Sequence, residues 1–356
     1  MFPLLAREVA SLSLEWLDPK GDLQDMVMSS RIRVARNLKD RPFPHFASPE
    51  DLEAVRERVL EILSGVEHLK DRRIYHIDSM DPLSRQVLVE NRQMSRALAQ
   101  GGPGRSILLD LKGILSVMIN EEDHVRLQVL LGGLNLQEGW CVAKSLLDRM
   151  GEDNFAFHGD LGFLSSCPTN VGTGLRASVM VHLPALARLG RMEAVSNECQ
   201  KLGLVVRGAF GEGTPSHGAI FQISNQVTLG PSEEELEEKT TGVVRRLCEE
   251  EKRAREVLRE AAGENLEDGI FRAFGILTNA RLLSFGETME LLSSVRLGGA
   301  MGMLPKMSGA FWNRLMLDVQ PGRIQALAEG PLDRKGRRRL RAQLVRERLA
   351  GLESCP

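Results

Sequence analysis

The sequence predicts an α+β protein in two parts, a mixed body over residues 26–230 and an all-helical C-terminal domain over 231–356. Three observations carry this. Residues between Met26 and Ser224 mix runs that alternate with period two and stretches with helical spacing, which is how strands and amphipathic helices appear in sequence. After Pro231 the period-two runs stop. There Ser232-Glu233-Glu234-Glu235 has the form of a helix capping box and opens a long series of helically spaced apolar residues.

Taken in order, residues 1–25 hold Leu12, Leu14, Trp16 and Leu17, enough for one short helix or docking arm and too few for a domain. Residues 27–36 alternate strictly and predict a strand; 49–63, 136–150 and 184–202 predict helices. Further strands are expected at 175–183, 204–206 and 219–224. Leu236, Val243, Leu247, Ala254, Leu258 and Ala261 then continue at helical spacing as far as Gly263. Shorter helices are expected at 266–274, 287–295, 310–317 and 333–349, separated by Gly286, Gly298-Gly299, Pro305 and Pro321-Gly322.

Composition narrows the function classes. A chain of 356 residues with 42% hydrophobic and 26% charged residues is an ordinary globular chain, beyond the size of a single small module. No stretch reaches the roughly 18 apolar residues that cross a bilayer, and Met1-Phe2-Pro3-Leu4-Leu5 has no basic region ahead of an apolar core, so the expectation is a cytoplasmic protein without a membrane role. Cys141, Cys167, Cys199, Cys248 and Cys355 are odd in number and far apart, which favours reduced thiols. A net charge of −2 argues against general nucleic-acid binding, although 36 of the 46 basic residues are arginine.

Four segments carry candidate chemistry. In the strand at 27–36, Ser29, Arg31 and Arg33 share one face. Residues 117–127, read as one alternating run, place Glu122, His124 and Arg126 together. Either run alone is also what a half-buried edge strand with solvated charges would give. Residues 165–176 set Cys167 on a turn-rich loop leading to Arg176, the kind of loop that turns backbone N–H groups toward a ligand, although an inert cysteine beside an ordinary turn has the same appearance. Residues 207–218 form a glycine-rich loop with Arg207 and Glu212, expected to move over a site. The seven histidines make no HxxxH or HxH pair, and neither a P-loop nor a dinucleotide fingerprint is present, so no protein-held metal is expected.

Together and in order, SSRIRVARN, NEEDHVR, SCPTNVGTGLRASV and RGAFGEG resemble the catalytic domain of the guanidino (phosphagen) kinases. The resemblance runs from Met26 to Ser224, and it implies a largely antiparallel sheet flanked by helices. The small helical domain that phosphagen kinases place ahead of the SxRxR strand has no counterpart here, and a helical domain follows instead, a layout similar to the bacterial protein arginine kinases of the McsB type. The resemblance implies ATP as donor, with Mg2+ held by its phosphates. Ser29, Arg31, Arg33, Arg126, Arg176 and Arg207 would line the triphosphate, and His76 and His124 would lie near the adenine. Guanidinium forks suit that task, because phosphoryl transfer is mostly positioning and charge stabilisation. Glu122 would take the proton from the acceptor guanidinium, Glu212 would grip its other side, and Cys167 would tune it. Phe210 stands where small-substrate members carry a basic residue.

The resemblance further implies a protein arginine kinase that acts on exposed arginines, marks proteins for ClpC–ClpP degradation, controls a stress regulator, works with a McsA-type activator, and forms a homodimer. Near the end, Arg337, Arg341 and Ala342 match an RDxxRA motif that binds phosphoarginine in these kinases, with Arg338 in place of the aspartate; a solvated basic helix face is the plain alternative. Two other functions compete: a kinase of a free guanidino compound in the same fold, and a non-catalytic arginine-rich binder. The second would not need both Glu122 and Glu212.

Overall fold

A computed structural model describes residues 4–21, 23–64, 71–208 and 217–350. Its strands are β1 (Val27–Arg36), β2 (Arg72–His76), β3 (Ser106–Asp110), β4 (Leu115–Ile119), β5 (Val125–Gly132), β6 (Phe157–His158), β7 (Gly162–Phe163), β8 (Leu175–His182), β9 (Leu204–Gly208) and β10 (Ile220–Asn225). The helices are α1 (Leu4–Ala10), α2 (Pro49–Ser64), α3 (Pro82–Glu90), α4 (Leu136–Met150), α5 (Pro184–Arg188), α6 (Met192–Lys201), α7 (Glu233–Asn279), α8 (Phe285–Ala300), α9 (Gly309–Asp318), α10 (Pro321–Leu327) and α11 (Arg334–Leu349). Eight strands form one sheet in the order β2-β3-β4-β5-β1-β8-β10-β9, and each neighbouring pair is antiparallel. The expected α+β body with an antiparallel sheet and a helical C-terminal region is what the chain forms.

Alternation sorts the sheet's residues onto two faces. Ile32, Val34, Leu127, Val129, Ala177, Val179 and Ile223 point one way and are buried under α2, α4, α5, α6 and the first half of α7. At about 1.5–3 kcal/mol for each fully buried aliphatic side chain, this face supplies most of the driving force. On the opposite face the two flanks are covered. Ile107, Leu109, Met118 and Leu130 lie under α1, Trp16 and α3, while Met180 and Ile220 lie under the C-terminal helices. Between these two patches runs a strip of polar side chains centred on β1.

Several expectations need correction. The run at 117–127 is not one strand: Asn120 takes φ +56°, and residues 120–124 form the turn of the β4–β5 hairpin. The helix expected over 184–202 breaks at Leu189-Gly190-Arg191 into α5 and α6. The capping box at Ser232 is present, and Gly263, with non-helical φ 29° and ψ −113°, divides α7 into two helical halves where the sequence expects one helix to end and the next to begin near Leu266. Pro321 does not separate helices but starts α10, where its missing N–H costs nothing and its fixed φ suits the first turn. The first half of α7, through Leu258, packs into the core under the sheet, and Leu266, Ile270, Leu297 and Met301 continue the same core beyond Gly263. There the Glu251 carboxylate accepts the N–H groups of Ala185 and Leu186, both at 3.0 Å, while Arg255 bridges Glu251 (3.2 Å) and Asp25 (3.0 Å).

Candidate active site

Strand register brings the arginines together. On β1, Arg33 stands opposite Gln128 of β5 and Arg176 of β8, and Arg31 stands opposite Leu130 and Ser178. Arg126 pairs with Ala35 two residues further along, and Arg207 of β9 faces Gln222 of β10. All five share the polar strip, because each occupies the same parity of the pleat. Arg31 donates through Nη2 to Gln222 Oε1 (2.9 Å) and through Nε to Ser178 Oγ (3.3 Å). Burial, followed by the charges of Arg126 and Arg176, lowers the Arg31 guanidinium to about 10. Arg33 falls well below its ordinary value, from burial first and then from Arg31, Arg126 and Arg176, and its buried Nε has no hydrogen-bond partner among the described residues. Positive charge crowded this closely, with few acids nearby, is the environment a polyanion relieves.

The carboxylates come from the turn at 120–124. Glu121 is 5% exposed. Burial would raise its carboxyl, but the Arg126 ion pair, the Ser95 hydroxyl and Arg33 outweigh that and hold it below its ordinary value. Glu122 is half-buried beside Arg176 and has no hydrogen-bond or ion-pair partner among the described residues. Asp123 points inward and accepts from Asn37 Nδ2 (2.6 Å), Ser165 Oγ (2.7 Å) and the Ser166 N–H (2.7 Å), joining this turn to the loop that carries Cys167. Cys167 is partly exposed, with Sγ 3.1 Å from Thr169 Oγ1, and like Glu122 it lies near Arg176. Gly172, at φ +109°, packs against Thr228 so closely that a Cβ there would collide with the Thr228 carbonyl oxygen.

Two cavities border this cluster. One of about 920 Å³ is lined by Arg31, Arg33, Arg92, Met28, Met180 and Gln222 together with residues of α3, α8 and α9. The other, of about 500 Å³, is lined by Glu121, Glu122, Arg126, Asn120, Arg105 and Leu52. Glu122 and Arg126 therefore share a cavity wall, although the single strand expected to align them is a hairpin.

The structure does not bring every predicted residue here. His76 is exposed on the edge strand β2, on the sheet face opposite the arginine strip, with Nδ1 3.0 Å from Ser106 Oγ. His124 is fully buried: Nδ1 accepts the Leu38 N–H (3.0 Å), so Nε2 carries the proton and donates to the Pro42 carbonyl (3.0 Å). Burial lowers its pKa and keeps the ring neutral. Neither imidazole lines the larger cavity. Ser29 is buried with its Oγ 3.5 Å from Arg92 Nη1. Glu212 and Phe210 lie outside the described residues, as does most of the glycine-rich loop.

Arg92 was missed. It follows α3 with φ +65°, carries no motif, and enters the cavity beside Arg31. Asp123 belongs to the NEEDHVR segment, but its inward hydrogen bonds depend on the fold that brings Asn37, Ser165 and Ser166 to it.

On α11, Arg341 is buried and donates to the carbonyls of Val319 (2.8 Å) and Leu283 (3.1 Å), and Arg337 donates to the Leu332 carbonyl (2.6 Å). Ala342 is buried in the helical core. The two arginines are one turn apart as expected, but both reach backbone oxygens.

Comparison with known proteins agrees with this geometry. Residues 54–254 match the family model "ATP:guanido phosphotransferase, C-terminal catalytic domain", and residues 263–355 match "Protein-arginine kinase McsB C-terminal domain". The chain is 42% identical over 343 residues to the protein-arginine kinase of Brevibacillus brevis, covering 95% of this chain and 96% of that one. It is 42% identical over 349 residues to the protein-arginine kinase of Moorella thermoacetica, covering 96% and 100%. Among solved structures it resembles a lombricine kinase (TM-score 0.59, 25% identity, 69% of this chain and 70% of that). It also resembles the duplicated taurocyamine kinase of Schistosoma mansoni with bound transition state analog components (TM-score 0.61, 26% identity, 77% and 40%). With both family models matched in sequence and the arginine strip assembled on the sheet, this chain belongs to the protein-arginine kinase family of ATP:guanido phosphotransferases.

Proposed function

We propose that this protein transfers the γ-phosphoryl group of ATP to arginine side chains of proteins. The observation that carries the reading is the strip of five arginines on one sheet face ending at Glu122, a carboxylate with no partner among the described residues. The larger cavity takes the nucleotide, and Arg31, Arg33, Arg126, Arg176 and Arg207 stabilise charge on the phosphates as the bond from the γ-phosphorus to the bridging oxygen breaks. ATP enters as its magnesium complex. Among the described residues no cluster of three or more His, Cys, Asp or Glu could hold a metal, and phosphates and water fit that role. Glu122 accepts the proton from the guanidinium nitrogen as the N–P bond forms, with Cys167 beside the acceptor. Glu212 would hold the acceptor's other edge. Arg92 lines the same cavity and adds a further cation to it.

The wider roles are proposals of the same kind, supported by the family alone: modified proteins pass to ClpC–ClpP degradation, a stress regulator is controlled, a McsA-type activator takes part, and the enzyme acts in the cytoplasm. Among the described residues no helix is long and apolar enough to cross a membrane. Exposed Phe271 and Ile276 on α7, with Leu282 in the connection to α8, support a homodimer. For phosphoarginine sensing, Arg337 is the more accessible contact, since it is half-buried whereas Arg341 is buried.

The likeness to lombricine and taurocyamine kinases supports a second reading, a free guanidino acceptor. Initial rates with a denatured arginine-containing protein and with free arginine decide between them. Faster phosphorylation of the protein supports the first reading, and equal or faster turnover of free arginine refutes it.

A further inference from the structure

The nucleotide cavity has one wall that the catalytic sheet does not supply. Arg92 reaches it from the end of α3, with Nη1 3.5 Å from Ser29 Oγ, Nη2 against Met180 Sδ, and its guanidinium 5.2 Å from the centre of the Trp16 ring. No carboxylate pairs with it among the described residues, and burial, followed by the charge of Arg31, lowers its guanidinium to about 9. Arg92 itself, at φ +65°, is the left-handed residue that closes the C-terminus of α3, its N–H bonded to the Val89 carbonyl (3.0 Å) and the next N–H, of Gln93, to the Leu88 carbonyl (3.1 Å).

The two preceding residues, the last of α3 and its cap, are both fastened to the C-terminal helices. Glu90 accepts the N–H groups of Gly322 (2.8 Å) and Arg323 (2.9 Å) at the start of α10. Asn91, fully buried, accepts from Arg323 Nη1 (2.8 Å) and donates to the Val9 carbonyl (3.0 Å). Arg323 is fixed in turn by its buried ion pair with Asp318 (2.8 Å). On the other side, Gln128 of β5 donates to the Arg92 carbonyl (2.8 Å).

We infer that Glu90 and Asn91 are positioning residues for Arg92, a sixth arginine of the donor site, so that the C-terminal helices complete the nucleotide cavity through α10. The inference rests on the reading of that cavity as the nucleotide site. A guanidinium with no counter-ion beside two further arginines is stabilised by a bound polyphosphate, and an arginine held in place beforehand loses less freedom on binding than a loose one.

Calorimetric titration with ADP and magnesium tests this on the full-length chain and on Arg92→Ala, Glu90→Ala and the double variant, with thermal unfolding recorded for each. The expected result is about tenfold weaker nucleotide binding in Arg92→Ala and severalfold weaker binding in Glu90→Ala. The double variant should be no weaker than Arg92→Ala, because residues acting through one group are not additive. Glu90→Gln keeps one acceptor oxygen for α10 and should fall between wild type and Glu90→Ala, which guards against misfolding of the alanine variant. Unchanged affinity in both Glu90 variants, or additive losses in the double variant, would overturn the inference. A wild-type chain that does not bind the nucleotide would overturn the donor-site reading with it.

Discussion

Asp123→Asn separates positioning from binding. The carboxylate accepts Asn37 Nδ2 and the Ser166 N–H on one oxygen and the Ser165 hydroxyl on the other. An amide with its oxygen toward Asn37 keeps two of these contacts without charge assistance and turns an NH2 toward Ser165 Oγ. That oxygen already accepts the Cys167 N–H at 3.2 Å. Two charged hydrogen bonds weakened by about 1 kcal/mol each and one broken contact give a loss of roughly 3 kcal/mol in stability. Glu122 and the Cys167 loop then lose their shared anchor, and misplacement on the scale of 1 Å costs on the order of 10²-fold in rate. Nucleotide affinity should hardly change, because none of the cavity arginines touches Asp123. Steady-state kinetics with a protein acceptor, ADP titration and thermal unfolding provide the three numbers. Near-wild-type kcat in a destabilised variant would refute the positioning role, and so would a loss confined to nucleotide affinity.

Gly172→Ala should destabilise the fold by a few kcal/mol and lower kcat, since the residue sits at φ +109° against the Thr228 carbonyl; unaltered melting would contradict that packing. Stability should fall as pH drops below about 6.5, the value at which unfolded histidine binds its proton. His182 is buried, and desolvation followed by Arg296, Arg255 and Arg188 pushes its pKa well below 6.5, so the unfolded chain takes up the proton first. His124 acts in the same direction. Melting temperatures between pH 5 and pH 7 should decline less steeply in His182→Gln than in wild type, and an identical slope would remove His182 from the explanation.

Much of the fold was legible because each element carries its own signal. The strand Val27–Arg36 follows from strict alternation, and the start of α7 from Ser232 and Glu235, whose side chains and backbone N–H groups satisfy each other locally. The arginine strip was legible in part: parity along one strand gives Arg31 and Arg33, but their meeting with Arg126 and Arg176 is a matter of register between strands distant in sequence. Periodicity failed at 117–127, where a tight turn preserves the polar alternation while reversing the chain. It also could not show His124, since a histidine among charged residues reads the same whether it faces a ligand or binds two backbone groups. Arg92 gave no signal, because its place depends on Glu90 and Asn91 meeting α10, which lies more than 200 residues later.

The central claim is that a protein arginine receives the phosphoryl group with Glu122 as proton acceptor. Mass spectrometry under non-acidic conditions, after incubation of wild type and Glu122→Gln with ATP, magnesium and an arginine-rich protein, tests it most directly when paired with ADP titration of both. The account predicts phosphoarginine on the wild-type product, a rate lower by about 10²-fold or more in Glu122→Gln, and matching nucleotide affinities. Absence of phosphoarginine with wild type, or near-normal turnover in Glu122→Gln, would contradict it.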